Sequence, residues 1–186
     1  MLIVTGASGQ LGRKIIDNLL LHTPAERIGV SVRDPARVAD LSGLGVRVRR
    51  GDYDDPESLV HAWEGAERLL LVSSNAAATG RDPLKQHAAA VAVACEIGVK
   101  RVLYTSQVSS CASSHFSPGR DHAATEAMLA ESGLAWTAMR HGFYAASALM
   151  MKARGWEAGT IAAPQSPGQL MTIWPPSTPP FWQGSK

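Results

Sequence analysis

Apolar and polar positions divide the first 140 residues into short apolar runs that alternate with amphipathic segments. The first run, Leu2 to Thr5, ends at a glycine and is typical of a buried strand. A helix is predicted directly after it, because Leu11, Ile15 and Leu19 repeat every four residues. Strands that alternate with helices in this way indicate parallel βαβ units.

Five more strands and four more helices are predicted to continue the alternation. The strands are expected at Ile28 to Arg33, Val46 to Arg50, Arg68 to Val72, Arg101 to Thr105 and Leu134 to Met139. Three helices are expected to start at the Asp-Pro pairs of residues 34–35, 55–56 and 82–83, and the last to cover His122 to Ser132. The second of these three should bury Leu59, Val60 and Trp63. Right-handed crossovers then produce a doubly wound parallel sheet with helices on both faces and a ligand crevice at the carboxyl ends of the strands.

Composition and charge narrow the function classes. The 186 residues are 45% hydrophobic and 18% charged, with a net charge of +2 and no run of like charges. This balance excludes a disordered chain and argues against nucleic acid as a partner. The chain shows no signal peptide and no apolar stretch of membrane-spanning length, so no membrane insertion is expected. Two cysteines do not make a disulfide framework, and a cytoplasmic location is predicted.

Glycines mark the turn between the first strand and the first helix. The segment Gly6-Ala7-Ser8-Gly9-Gln10-Leu11-Gly12 has the spacing G-x-x-G-x-x-G. Such a turn lets a pyrophosphate approach the backbone and the free N–H groups of the helix, as in Rossmann-type dinucleotide-binding folds. Gly6, Ala7, Ser8, Gly9, Gln10 and Leu11 are therefore predicted to bind a cofactor, and the alternative is an ordinary βα turn.

The residue at the end of the second strand predicts which dinucleotide binds. An acidic residue there suits the ribose 2′-OH, whereas an arginine suits a 2′-phosphate. Arg33 occupies this position, and Asp34 is expected to cap the next helix. NADP(H) is therefore predicted as the cofactor, with no metal and no flavin. The alternative for Arg33 is a solvent-exposed arginine with no ligand.

Polar residues follow the third and fourth strands on the same side of the sheet. Asp52 could accept from the adenine amino group or make a local turn hydrogen bond. Ser73, Ser74 and Asn75 are small polar residues expected beside the cofactor's ribose and phosphates. His122 and Glu126 share one helix face, so the carboxylate is expected to favour a charged imidazolium that could donate to a developing oxyanion. The alternative is a structural pair.

Several separated motifs together resemble the NmrA-like family of atypical short-chain dehydrogenases, and within it the bacterial NAD(P)H:quinone oxidoreductase type 2 branch. The resemblance runs from Met1 to about Pro164. It rests on Thr5-Gly6-Ala7-Ser8-Gly9-Gln10-Leu11-Gly12, Val32-Arg33-Asp34-Pro35, Gly51-Asp52-Tyr53, Leu69-Leu70-Leu71-Val72-Ser73-Ser74, Tyr104-Thr105-Ser106 and Arg140-His141-Gly142-Phe143-Tyr144.

The resemblance implies NADPH-dependent hydride transfer to a quinone-like small molecule. It places the substrate beside Arg140, His141, Gly142, Phe143 and Tyr144, with Tyr144 or His122 as the catalytic hydrogen-bond donor. The Tyr-x-x-x-Lys pair of typical short-chain dehydrogenases is missing, which a quinone acceptor tolerates because the protein need only orient it and stabilise an oxyanion. One alternative is a non-catalytic NADP-binding sensor of the NmrA type. For Phe143 and Tyr144 the alternative is core packing.

The last residues depart from the family. From Gln165 to Lys186 prolines crowd the chain and no apolar period survives, so an irregular tail is expected after a dinucleotide-binding domain of residues 1–164. The resemblance implies roughly another hundred residues that would form a lobe over the substrate. A truncated or frame-shifted chain that lacks most of this lobe and reduces quinones poorly is therefore expected.

Overall fold

The computed structural model describes residues 1–142, residue 144, and the backbone of residues 161–166 and 169–174. Its contacts divide the chain into two compact units, Met1–Arg140 and His141–Lys186. The predicted domain boundary at residue 164 stays a prediction. No helix among the described residues is long and apolar enough to cross a membrane.

The first part of the chain folds into a six-stranded sheet with helices. Its strands are β1 Leu2–Thr5, β2 Ile28–Val32, β3 Arg47–Arg50, β4 Arg68–Leu71, β5 Arg101–Gln107 and β6 Ala135–His141, in the order β3-β2-β1-β4-β5-β6. The helices are α1 Gln10–Leu19, α2 Ala39–Gly43, α3 Pro56–Trp63, α4 Pro83–Glu96 and α5 Ser117–Glu131. This arrangement confirms the predicted Rossmann-type doubly wound fold.

The register of the sheet brings the carboxyl ends of neighbouring strands together. Val4 in β1 pairs with Val30 in β2 on one side and with Leu70 in β4 on the other, in parallel. The strand order reverses between β1 and β4, because the chain adds β2 and β3 on one side and β4 to β6 on the other. A ligand crevice is expected at this reversal, beyond the strand ends.

Two apolar clusters cover the two faces of the sheet. One includes Ile16 of α1 and Leu41 of α2, and the other includes Trp63 of α3 and Leu129 of α5. The predicted burial of Leu59 and Trp63 is confirmed, since neither is exposed. The predicted burial of Val60 is wrong, because Val60 is 36% exposed. Ala62 of the same helix is buried in the core instead.

Two element bounds differ from the sequence prediction. Helix α5 begins at Ser117, five residues before the predicted start at His122, because Pro118 lies in its first turn, where a missing N–H costs nothing. After β2, Asp34 accepts a hydrogen bond from the Ala36 N–H at 3.1 Å, as predicted for a cap, but the segment Pro35–Val38 is a 3₁₀ turn that precedes α2.

The edge strand β3 carries arginines at three of its four positions. Arg47 donates to the Ala62 carbonyl at 3.2 Å, and Arg49 donates to the His61 carbonyl at 2.6 Å. Both carbonyls lie in the last turn of α3, where helical partners are missing. The arginine side chains thus attach the end of α3 to the sheet edge.

The second unit contains an antiparallel hairpin of β7 Ile161–Ser166 and β8 Gln169–Trp174. The prediction of irregular structure from Gln165 onward is therefore wrong for Gln169–Trp174. This segment contains no proline and carries β-favouring Thr172, Ile173 and Trp174. The prolines that suggested an irregular tail lie before or after this segment in the sequence. Pro164, in β7, lies beside a register irregularity.

Candidate functional site

A cavity of about 400 Å³ lies within the first unit, at the carboxyl ends of the strands. Its lining comes from the turn after β1, the ends of β2 and β3, the segment after β4 and one residue of α4. The members are Thr5, Gly6, Ser8, Gly9, Gln10, Leu11, Gly12, Ser31, Val32, Arg33, Arg37, Gly51, Asp52, Tyr53, Val72, Ser73, Ser74, Asn75, Arg81 and Gln86. The structure therefore brings together ten of the eleven residues predicted to bind a cofactor.

The glycine turn packs too tightly for side chains. A Cβ atom on Gly12 would lie 2.7 Å from the Gly6 carbonyl carbon and 2.8 Å from the Ala7 Cα, which is closer than real contacts allow. Gly6 has a φ of +64°, a left-handed conformation that disfavours other residues. Ala7 is the exception among the predicted binding residues, because its side chain is fully buried in the core and only its backbone could reach a ligand.

Helix α1 presents an uncapped N-terminus to the cavity. Gly9 is the N-cap residue, no side chain caps the helix, and its first turn holds no acidic residue. Free backbone N–H groups and the positive end of the helix dipole favour an anion there. The turn can thus hold a phosphate group.

Two arginines line the cavity next to the end of β2. Arg33 follows the strand directly, and Arg37 lies in the 3₁₀ turn. Both are exposed, and neither side chain has an ion-pair partner within the described part of the chain. Asp34 is occupied as a cap. Arg37 was not predicted from the sequence, although it lies only four residues after Arg33.

Asp52 makes the local turn bond that was one of its two predicted roles. Its Oδ1 accepts from the Asp54 N–H at 3.1 Å, and the residue also lines the cavity. The neighbouring Tyr53 hydroxyl donates to the Val72 carbonyl at 2.8 Å and lies 2.6 Å from the Thr5 Oγ1. Burial raises the pKa of Tyr53, so the phenol stays neutral and structural.

Ser73 and Ser74 are held by residues from other elements. The Ser73 N–H donates to Thr105 Oγ1 at 2.8 Å. The Ser74 N–H donates to His87 Nε2 at 2.8 Å, and the Ser74 hydroxyl donates to Gln86 Oε1 at 2.5 Å. Sequence analysis missed Gln86 and His87, since both look like ordinary positions of an alanine-rich helix.

Asp54 connects the segment after β3 to the segment after β4. Its Oδ2 accepts from Arg81 at 2.5 Å and from Gln86 Nε2 at 2.8 Å. Arg81 and Gln86 both line the cavity. One carboxylate thus ties together two sides of the cavity wall, a role that sequence spacing could not reveal.

The structure places His122 away from the lining of this cavity. Its Nδ1 lies 2.8 Å from the hydroxyl of Tyr104, which is fully buried. Burial lowers the pKa of His122 although Glu126 and Asp121 act in the opposite direction. The expectation of a charged imidazolium is therefore wrong, because removal from water outweighs the carboxylates.

Glu126 binds other partners than His122. Its Oε1 accepts from the Ser106 hydroxyl at 2.5 Å, and Arg140 donates to both carboxylate oxygens. Burial alone would raise the pKa of Glu126, but the hydrogen bonds from Arg140 and Ser106 outweigh it, and the pKa is lowered. Arg140, a predicted substrate-binding residue, thus has a structural partner.

The other predicted substrate-binding residues belong to the second unit. The rings of His141 and Tyr144 lie with their centroids 5.7 Å apart, and Tyr144 is 43% exposed. A Cβ on Gly142 would meet no atom of the described residues within 4 Å. Phe143 lies outside the described residues. The substrate-binding and catalytic assignments stay predictions.

Comparison with known proteins agrees with the geometry of the turn and the cavity. The profile of the NAD(P)H-binding family matches residues 6–154. Quinone oxidoreductase 2 of Escherichia coli is 36% identical over 170 residues, which cover 91% of this chain and 58% of that protein. An NmrA-like family domain-containing oxidoreductase of Aspergillus flavus is 36% identical over 145 residues, which cover 76% of this chain and 47% of that protein.

A solved structure shows the same fold. The NADPH-dependent quinone oxidoreductase of Escherichia coli, crystallised with NADPH, superposes with a TM-score of 0.76 at 36% identity, over 86% of this chain and 55% of that one. The chain thus spans about half the length of the relatives it matches. The predicted resemblance is confirmed, and the chain belongs to the NAD(P)H-binding Rossmann family that includes quinone and NmrA-like oxidoreductases.

Proposed function

We propose that this chain binds NADPH as part of an oxidoreductase that passes a hydride to a quinone-like acceptor. The observation that carries the proposal is the cavity wall, where an uncapped helix N-terminus and two arginines without an ion-pair partner among the described residues line one continuous space. The helix N-terminus suits the pyrophosphate of NADP(H), and the two arginines suit its 2′-phosphate, which lies at a separate point of the cofactor.

The residues present fit the cofactor. Gly9 at the start of α1 carries no side chain that would block a pyrophosphate, and Gly12 lets the helix pack against the backbone of Gly6 and Ala7. Arg33 and Arg37 supply guanidinium groups for the 2′-phosphate. Asp52 keeps one carboxylate oxygen outside its turn bond with Asp54, which can accept from the adenine amino group.

When bound, NADPH supplies a hydride from its nicotinamide ring. The chain's own residues hold the cofactor and stabilise the oxyanion that forms on the acceptor. The Tyr104 hydroxyl and His122 Nδ1 lie 2.8 Å apart, and we assign the phenol, kept protonated by its raised pKa, as the donor, so that the neutral imidazole carries its proton on Nε2. Either His122 or Tyr144 is the proposed donor of that hydrogen bond, and Arg140, His141, Gly142 and Phe143 stay proposed substrate-binding residues.

The experiment measures cofactor binding first and turnover second. The purified chain is titrated with NADPH and with NADH by nicotinamide fluorescence, and NADPH oxidation is then followed with a panel of benzoquinones and naphthoquinones. We expect this chain to bind NADPH more tightly than NADH, and we expect quinone-dependent oxidation from a chain that spans the full length of its relatives. No binding of either cofactor would contradict the proposal as a whole.

A non-catalytic NADP-binding sensor is the second candidate. Two observations favour it. His122 does not line the cofactor cavity, and Asp52 is the one carboxylic acid among the described residues that do. NADPH binding without oxidation by any quinone, in a chain extended with the C-terminal lobe that its relatives carry, would support the sensor and contradict the reductase.

A further inference from the structure

We propose that Gln86 and His87 are positioning residues that hold Ser74 by its backbone and its side chain, so that Ser73 faces the cofactor with a free hydroxyl proton. The inference rests on the proposed function because it assigns roles within the NADPH-binding wall. It separates two neighbouring serines that look equivalent in the sequence.

The hydrogen bonds of His87 define a single tautomer. His87 Nε2 accepts from the Ser74 N–H, so it carries no proton. Its Nδ1 lies 2.8 Å from Thr125 Oγ1, and the Thr125 hydroxyl already donates to the Asp121 carbonyl. Thr125 must therefore accept, and His87 Nδ1 carries the proton. The side chain is 2% exposed, so an incorrect tautomer would leave buried groups unpaired.

The amide orientation of Gln86 follows from the same reasoning. The Asp54 carboxylate can only accept, so the Gln86 nitrogen must face it. The Gln86 oxygen then faces Ser74 and accepts the hydroxyl proton. Gln86 is 4% exposed, and Asp54 also accepts a hydrogen bond from Arg81. Contacts outside helix α4 therefore fix the orientation of the Gln86 amide.

These contacts leave Ser74 no free hydrogen-bond donor. Its N–H goes to His87, its hydroxyl proton goes to Gln86, and its Oγ accepts from the Ala76 N–H at 3.0 Å. Ser74 thus acts as an anchor for the segment between β4 and α4. Both serines were predicted to lie beside the cofactor and both line the cavity, and we infer different roles for them.

Ser73 is arranged in the opposite way. Thr105 Oγ1 accepts from the Ser73 N–H and donates to the Ser73 Oγ at 3.3 Å. The hydroxyl proton of Ser73 has no acceptor among the described residues, and the residue lines the cavity. An oxygen of the cofactor's ribose or phosphate groups is the acceptor that this geometry calls for.

The first measurement uses the free protein. Long-range proton–nitrogen NMR on the imidazole of His87 should show a protonated Nδ1 and a bare Nε2 at neutral pH. The Ser74 amide should show slow hydrogen exchange. A protonated Nε2 would overturn the inference, and this result does not depend on whether the chain binds NADPH or reduces quinones.

The second measurement compares NADPH dissociation constants of matched variants. His87→Leu removes the acceptor for the Ser74 N–H and should weaken binding about tenfold, whereas His87→Gln, whose amide oxygen can replace Nε2, should restore most of the affinity. Ser73→Ala should weaken binding about five- to tenfold without lowering the unfolding temperature. Ser74→Ala should lower the unfolding temperature. The exposed neighbour variant Lys85→Ala is the control and should change neither quantity.

Equal affinities of His87→Leu and His87→Gln would overturn the positioning role, whatever their stabilities. If His87→Leu does not fold, Gln86→Met replaces it: this variant removes the acceptor of the Ser74 hydroxyl and should weaken NADPH binding, and an unchanged affinity would overturn the positioning role. Unchanged affinity in Ser73→Ala would overturn the contact assigned to Ser73. A parent chain that binds no NADPH contradicts the proposed function, while the NMR result still decides the tautomer.

Discussion

The guanidinium of Arg140 binds the carboxylate of Glu126 through two nitrogens, Nε at 3.0 Å and Nη2 at 2.6 Å. This pair joins β6 to α5. Glu126 is 92% removed from solvent, while Arg140 stays half-exposed, so the carboxylate depends on the arginine more than the arginine depends on it.

Replacing Arg140 with methionine should lower the stability of the chain, because a buried carboxylate would keep only the hydroxyl of Ser106. The matched control is Arg13→Met, which breaks pairs with the exposed Asp17 and Asp40 and should have a much smaller effect. Urea denaturation at neutral pH compares the two. An equal loss in both variants would show that the burial of Glu126 does not matter.

Arg33→Ala should reduce the preference for NADPH over NADH about ten- to a hundredfold, because a charge-assisted contact with the 2′-phosphate is lost. Arg37→Ala should act in the same direction. Titration of each variant with both cofactors measures the effect. Arg50, another exposed arginine that pairs with Asp55, gives the control variant Arg50→Ala, which should retain the preference.

Gly12→Ala should abolish tight cofactor binding and destabilise the chain, because the new Cβ would overlap the backbone of Gly6 and Ala7. The control is Gly43→Ala in α2, where a Cβ meets nothing within 4 Å. Alanine should be neutral or stabilise the helix there by about 0.5 kcal/mol. Calorimetric titration and thermal unfolding measure both effects, and a Gly12→Ala chain that binds NADPH normally would contradict the assigned turn.

Acid should destabilise the chain through His87. Burial lowers the pKa of His87 from 6.5 to about 4, with a smaller contribution from nearby His122 and an opposing one from Asp82. Between these two pH values the unfolded state binds a proton that the folded state does not, so stability falls as the pH falls. The loss is complete below the folded pKa and amounts to about 3 kcal/mol, since each pH unit contributes about 1.4 kcal/mol.

Urea denaturation across this pH range tests the prediction. The variant His87→Gln carries no titrating ring and should lose this part of the pH dependence. The same acid-induced loss in the variant and in the parent would assign the effect to other groups.

His122→Ala should lower turnover about a hundredfold and leave cofactor affinity nearly unchanged, if it donates to the acceptor as proposed. Tyr104→Phe should lower turnover less, because it removes only the group that fixes the imidazole tautomer. His61→Ala, on the exposed side of α3, is the control. Unchanged turnover in His122→Ala would leave Tyr144 as the proposed donor.

The alternating fold could be predicted because its signals are local. Leu2–Thr5 is a run of buried positions beside a glycine turn, and the Asp-Pro starts of α3 and α4 carry their caps within three residues. The position of Arg33 in the cavity wall was predictable for the same reason, since Arg33 lies directly at the end of a strand.

The polar wall of the cavity could not be predicted, because its members are brought together by the fold. His87 contacts Ser74 thirteen residues earlier and Thr125 thirty-eight residues later, and no spacing rule links the three. The charge of His122 was misjudged because the helix periodicity showed Glu126 beside it but could not show Tyr104 or the depth of burial. Tertiary surroundings, rather than neighbours along the helix, decide both cases.

The three arginines of β3 have a consequence for how copies of the chain meet. An edge strand exposes unpaired backbone groups that can recruit a strand from another molecule, and such recruitment begins many aggregates. Two copies approaching along β3 would bring Arg47, Arg49 and Arg50 of one against the same cations of the other. Charged side chains along an edge strand disfavour a second strand beside it, here even though Arg49 and Arg50 pair with Glu64 and Asp55, so the residues that attach α3 to the sheet also protect this margin from intermolecular β-pairing.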